Sequence, residues 1–79
     1  MDKLAKALAK MPEKDRQKIL AVLIRIRARD YSNLDFKKLS GRDDIYRVRH
    51  GDWRIVFYLF KDNVNILSVE KRSDNTYNF

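Results

Sequence analysis

The sequence predicts an α+β domain in which an N-terminal αα-hairpin packs on a three-stranded antiparallel β-meander. Two observations carry that reading. Apolar residues recur at helical spacing through about residue 29, and from Ile45 onward the period becomes two. With 79 residues, the chain is expected to form one domain spanning 1–79. A chain of this size buries only about 60% of its unfolded surface, so its core is small.

Residues 2–10 read as the first helix, with Leu4, Leu8 and Met11 on one stripe and Lys3, Lys6 and Lys10 among them. Pro12 suits the first turn of a second helix, where its missing N–H costs nothing. Glu13 and Asp15 complement the positive end of the helix dipole there. This helix is expected to run from Pro12 to Arg29. Ile19, Val22, Leu23 and Ile26 form its stripe, which Leu20 and Ile24 widen, and Arg25, Arg27 and Arg29 sit at the end that favours cations.

Residues 30–44 change character. Asp30, Ser32, Asn33 and Asp35 mark a loop, which Leu34, Phe36 and Leu39 pin to the core. The first strand begins at Ile45, with Ile45, Arg47 and Arg49 on one face and Tyr46 and Val48 on the other. His50-Gly51-Asp52 forms a turn, and Trp53 to Phe60 is a central strand, apolar except for Arg54. Lys61-Asp62-Asn63 turns into a third strand, Val64 to Val69, and residues 70–79 form a polar tail.

Composition excludes several kinds of chemistry. The chain has no cysteine, so it has no disulfide framework, cysteine nucleophile or cysteine-based metal site. His50 is the only histidine, which excludes a multi-histidine metal site. No metal or other cofactor is expected. The formal net charge is +7, and residues 1–29 hold nine basic and three acidic residues. That balance favours a polyanion, an anionic membrane surface or an acidic partner. The first thirty residues contain no apolar run of about 7–15 residues, since Lys or Arg interrupts every candidate. No leader or membrane span is expected, and the cytoplasm is the expected location.

Charge also appears where a strand should be quiet. Arg47 and Arg49 share a strand face, Arg54 interrupts the central strand, and Lys71-Arg72 follows the third. Five cationic groups on one sheet face would repel one another unless an anion sat among them. Phosphate fits, because arginine offers it a two-toothed fork. Tyr46, Tyr58 and Tyr77 could stack on bases or donate a proton, as in single-stranded RNA recognition. Each signal also has an ordinary structural reading. Arg54 could pair with Asp52, Asp62 or Glu70. Lys71-Arg72 could be a plain tail, Tyr46 and Tyr58 could be core or edge packing, and His50 could be part of the turn.

The stretch from Leu39 to Tyr58, LSGRDDIYRVRHGDWRIVFY, resembles the central motif of the RelE/ParE toxin superfamily. That motif is a Leu-x-Gly segment, a strand with alternate basic residues, a Gly-Asp-aromatic-Arg turn and an apolar strand. The ending Val69-Glu-Lys-Arg-Ser-Asp-Asn-Thr-Tyr and the upstream Met-Pro-Glu-Lys-Asp-Arg link are similar too. The resemblance implies a toxin held inactive by a cognate antitoxin, acidic where it covers the basic groove. Operator DNA would be met only through that complex. The implied activity is metal-independent cleavage of mRNA at the ribosome: the 2′-hydroxyl attacks the adjacent phosphate and leaves a cyclic phosphate.

The same resemblance implies residue roles. Arg47 and Arg49 would sit at the reacting phosphate, Arg54 would stabilise it, and Arg72 would act near the leaving group. Tyr77 would stack on a base or assist proton transfer, and Lys71, His50 and Tyr46 would contact RNA. Two departures stand out. Many RNase members carry lysine or histidine where this chain has Arg47 and Arg49, which leaves the general base open between His50, Tyr77 and electrostatic stabilisation alone. The family also usually opens with a strand, whereas this sequence begins in a helix. That strand is lost, lies upstream or is supplied by a partner at an unpaired edge. Alternatives within the resemblance are a ParE-like DNA gyrase inhibitor and a catalytically inactive antitoxin-binding relative.

Overall fold

In the computed structural model, residues 3–39, 41, 44–72 and 76–78 are described. Helix α1 spans Lys3–Lys10 and α2 spans Glu13–Arg27. Five strands follow: β1 Asp35–Lys38, β2 Ile45–His50, β3 Trp53–Phe60, β4 Asn63–Lys71 and β5 Thr76–Asn78. They form one antiparallel sheet in the order β1-β2-β3-β4-β5. The class is α+β, as the two sequence periods predict.

Of the expected α2 stripe, Ile19, Val22, Leu23 and Ile26 are buried, whereas Leu20 and Ile24, expected to widen it, are exposed on the outer side of the helix. Leu4, Ala7 and Met11 bring the first helix and the link into the same core. Pro12 stands just before α2 rather than inside it, and its carbonyl accepts the Arg16 N–H at 2.9 Å. At the other end, α2 stops two residues short of Arg29. Arg29 adopts φ 57, its N–H donates to the Ile26 carbonyl, and the Asp30 N–H reaches back to the Arg25 carbonyl. This is a Schellman stop, with arginine at the left-handed position where glycine is usual.

The sheet corrects the three-stranded expectation. The predicted meander is β2-β3-β4, and a short strand is added at each side. β1 lies inside the segment expected to be a loop and pairs Phe36 with Val48 and Lys37 with Arg47. Its sequence, DFKK, hides its identity, since only Phe36 turns inward. Charged residues on a short edge strand discourage pairing with other chains. β4 runs two residues beyond Val69, and β5 uses part of the expected polar tail, setting Tyr77 opposite Val69. The meander's outer edges are therefore covered by β1 and β5.

Both helices lie on one face of the sheet. The core joins Leu4, Met11, Ile19, Val22, Leu23 and Ile26 to Val48, Trp53, Ile55, Phe57, Ile66 and Val69. Phe57 is fully buried at its centre. Tyr31, Phe36 and Tyr46 cover one flank, with the Tyr31 and Phe36 rings stacked at 3.9 Å and Phe36 and Tyr46 at 5.2 Å.

Between β3 and β4 the register shifts at Val56/Phe57: Val56 faces Ser68, Phe57 faces Ile66, and Leu67 is the extra residue. This bulge changes the phase of the alternation, so Ile66 and Val69 both reach the core.

Candidate nucleic-acid interface

Strand alternation assigns the charges to faces. On the face away from the helices, one row across the sheet reads Asp35, Arg49, Arg54, Glu70 and Thr76 in β1 to β5. Arg49 stands directly opposite Arg54. Like charges in that position destabilise a sheet unless something neutralises them. Glu70 does so from the other side of Arg54. The Arg54 Nε donates to Glu70 Oε2 at 2.6 Å, and Nη2 donates to the same oxygen. Of the three carboxylates open to Arg54 in the sequence, the register selects Glu70.

A groove of about 530 Å³ runs around this end of the sheet, lined among others by Arg49, Arg54, Glu70, Lys71 and Arg72. The Gly51-Asp52 turn closes one side, and Gly51 takes φ 59, a conformation suited to glycine. The Arg72 N–H donates to the Asp52 carbonyl at 2.8 Å, so the end of β4 is tied to the β2–β3 turn. That bond brings Arg72 to the same groove as Arg49 and Arg54. The lining holds four cations, Arg49, Arg54, Lys71 and Arg72, and two carboxylates, Asp52 and Glu70. Among the described residues, neither Arg49 nor Arg72 has a carboxylate partner. This is where an anion gains most from two forks.

The five expected cations do not share one face. Lys71 is opposite Trp53 in the register and leans toward the helices. Its Nζ lies 3.4 Å from Asp15 Oδ2 and 5.7 Å from the centre of the Trp53 ring. Lys71 is the last residue of β4, while Arg72 lies beyond the strand in a turn tied to the Asp52 carbonyl. Arg47 is on the right face, but its side chain is only 13% exposed and is held by Asp35, 3.4 Å from the carboxylate and 3.5 Å from the carbonyl. It does not line the groove.

His50 is exposed at the end of β2, opposite Trp53 and outside the lining. Tyr46 packs in the aromatic cluster on the helix side, 6.2 Å from Phe57. Tyr77 has a backbone place in β5, and its side chain lies outside the described residues. Glu70, Asp52 and Asp15 were not among the expected site residues. Glu70 had a faint signal as the carboxylate beside Lys71-Arg72, and Asp15 had none, being 56 positions from Lys71. Among the described residues no cluster of His, Asp or Glu could hold a metal ion, and no helix is long and apolar enough to cross a membrane.

Asp15 ties the second helix to this end of the sheet. Burial opposes its charge, but the Trp53 indole and the Lys71 ammonium outweigh burial and lower its pKa below the ordinary value. A carboxylate whose pKa is lowered by folding adds stability above its unfolded value of about 3.9, and loses it as pH falls through the folded value. Asp15→Asn is thus expected to melt below the parent at neutral pH, with the gap closing in acid. Melting curves that stay equally far apart from neutral to strongly acid pH would refute this.

Comparison with known proteins finds no matching family model, no matching curated protein and no matching solved structure.

Proposed function

We propose that this chain is the toxin of a toxin–antitoxin pair, a RelE-like endoribonuclease that cuts mRNA at the ribosome without a metal. One observation carries the reading: Arg49, Arg54 and Arg72 line a single groove at the end of the sheet. The resemblance of residues 39–58 and 69–77 to the RelE/ParE motif supports it independently. In that reading the groove seats the scissile phosphate, and fixed guanidinium groups stabilise the charge that builds up on it. The RelE-like version of the fold and a cytoplasmic location belong to the same proposal. The partner is an acidic antitoxin segment that covers the groove and neutralises its cations.

A second reading, inhibition of DNA gyrase by a ParE-like relative, is favoured by the arginines at both basic positions of β2. The deciding experiment incubates the purified protein with mRNA, with and without ribosomes. Fragments ending in a 2′,3′-cyclic phosphate are expected, and chelation of divalent ions does not prevent them in the ribosome-free reaction. Intact mRNA under both conditions would overturn the RNase reading and make gyrase inhibition the next assay.

A further inference from the structure

We propose that Glu70 is the general base of the cleavage reaction, an assignment that rests on the RNase reading above. The groove has cations to stabilise a phosphorane but needs a group that can accept a proton. Arginine stays protonated and cannot do so. His50 lies outside the lining and the Tyr77 side chain lies outside the described residues, and the carboxylates among the described lining residues are Asp52 and Glu70. Asp52 is in the exposed turn, where its carbonyl holds Arg72 in place. Glu70 is in the strand itself, with a side chain 25% exposed.

The position of Glu70 is well defined. Arg54 faces it from β3, Thr76 from β5, and Arg49 lies one strand further on, with strands about 4.8 Å apart. Both bonds from Arg54 end on Oε2. Among the described residues no donor reaches Oε1. The guanidinium therefore fixes the carboxylate through one oxygen and leaves the other to act as acceptor in a groove that also holds the two cations without carboxylate partners. A phosphate held by Arg49 and Arg72 would set the ribose on its 5′ side, which carries the attacking 2′-hydroxyl, beside the Glu70 carboxylate.

The step balances without a co-reactant other than water. Glu70 Oε1 takes the proton of the 2′-hydroxyl. The 2′-oxygen forms a bond to phosphorus, and the bond from phosphorus to the 5′-oxygen breaks. The departing oxygen takes a proton from groove water, and Glu70 returns its own proton to solvent. The products are a 2′,3′-cyclic phosphate and a 5′-hydroxyl.

The experiment compares parent, Glu70→Gln and Glu70→Asp in RNA cleavage across pH, in binding of a 2′-O-methyl RNA that cannot react, and in Tm. General-base catalysis contributes about 10²–10⁴-fold. Glu70→Gln should lose at least about 10²-fold in cleavage and lose the acid limb of the pH–rate profile, while binding the inert RNA as tightly as the parent or more so. Glu70→Asp should keep part of the rate and the acid limb. Three outcomes would overturn the assignment while leaving the RNase reading intact: Glu70→Gln cleaving within about threefold of the parent with the same acid limb, a cleavage loss matched by lost binding, or one matched by a collapsed Tm. A parent that forms no cyclic-phosphate product would overturn both.

Discussion

The Arg54→Ala/Arg72→Ala double variant should lose RNA cleavage by at least about 10²–10³-fold while remaining folded. Removing a single fixed donor from a developing oxyanion costs about that much in catalytic rate, and here two of the three groove arginines are removed. The cost to stability is far smaller. Arg72 is exposed, and the Arg54 side chain is 44% exposed even while paired with Glu70. Ion pairs that open to water are worth about 0–1 kcal/mol, which for a domain of this size moves Tm by no more than about 8 °C. The measurement is cleavage rate beside a melting curve. Full activity in a folded double variant would remove the groove from the mechanism even if the parent is an RNase.

Phe57→Ala should leave little folded protein at physiological temperature. Phe57 is fully buried in a core it shares with Ile55, Ile66 and the helix stripe. Its ring also neighbours Tyr46 and Phe36, at 6.2 Å each. Truncating a buried phenylalanine costs about 3–5 kcal/mol. Whole domains are stable by only about 5–15 kcal/mol, and a chain of 79 residues belongs near the lower end. The control is Ile24→Ala on the outer face of the second helix, where the side chain is 68% exposed. Surface changes of that kind stay within about 0.5 kcal/mol. Denaturant titration of both variants tests the contrast, and a Phe57→Ala midpoint close to that of Ile24→Ala would contradict the assigned core.

The two helices and the three central strands were readable because each buries one face and repeats at its own period. Ile19, Val22, Leu23 and Ile26 could not line one side of a strand, and Tyr46 and Val48 alternate with Arg47 and Arg49 as a strand requires. The edge strands were not readable. Asp35–Lys38 buries almost nothing of its own, so its strand character comes from backbone bonds to the neighbouring strand and not from a pattern. The bulge at Leu67 was hidden for a related reason. It brings both Ile66 and Val69 to the core, a spacing of three that strict alternation does not predict and that one extra residue leaves unmarked in the sequence.

For the candidate site, alternation within each strand was enough to put Arg47 and Arg49 on one strand face and Arg54 on the central strand, but it left Lys71 and Arg72 together in a tail and did not separate them. The basic character of the groove was likewise present in the residues themselves. Register and tertiary contact decided the rest. Arg54 had three possible carboxylates in the sequence, and pairing with the fourth strand chose Glu70. Lys71 met Asp15 only because the second helix lies over Trp53, and Arg47 was drawn to an aspartate in a strand the pattern did not show. The sequence determines which face a side chain takes on its own element. Its partner depends on how separate elements align, and that alignment is settled by the pairing and packing of the whole chain.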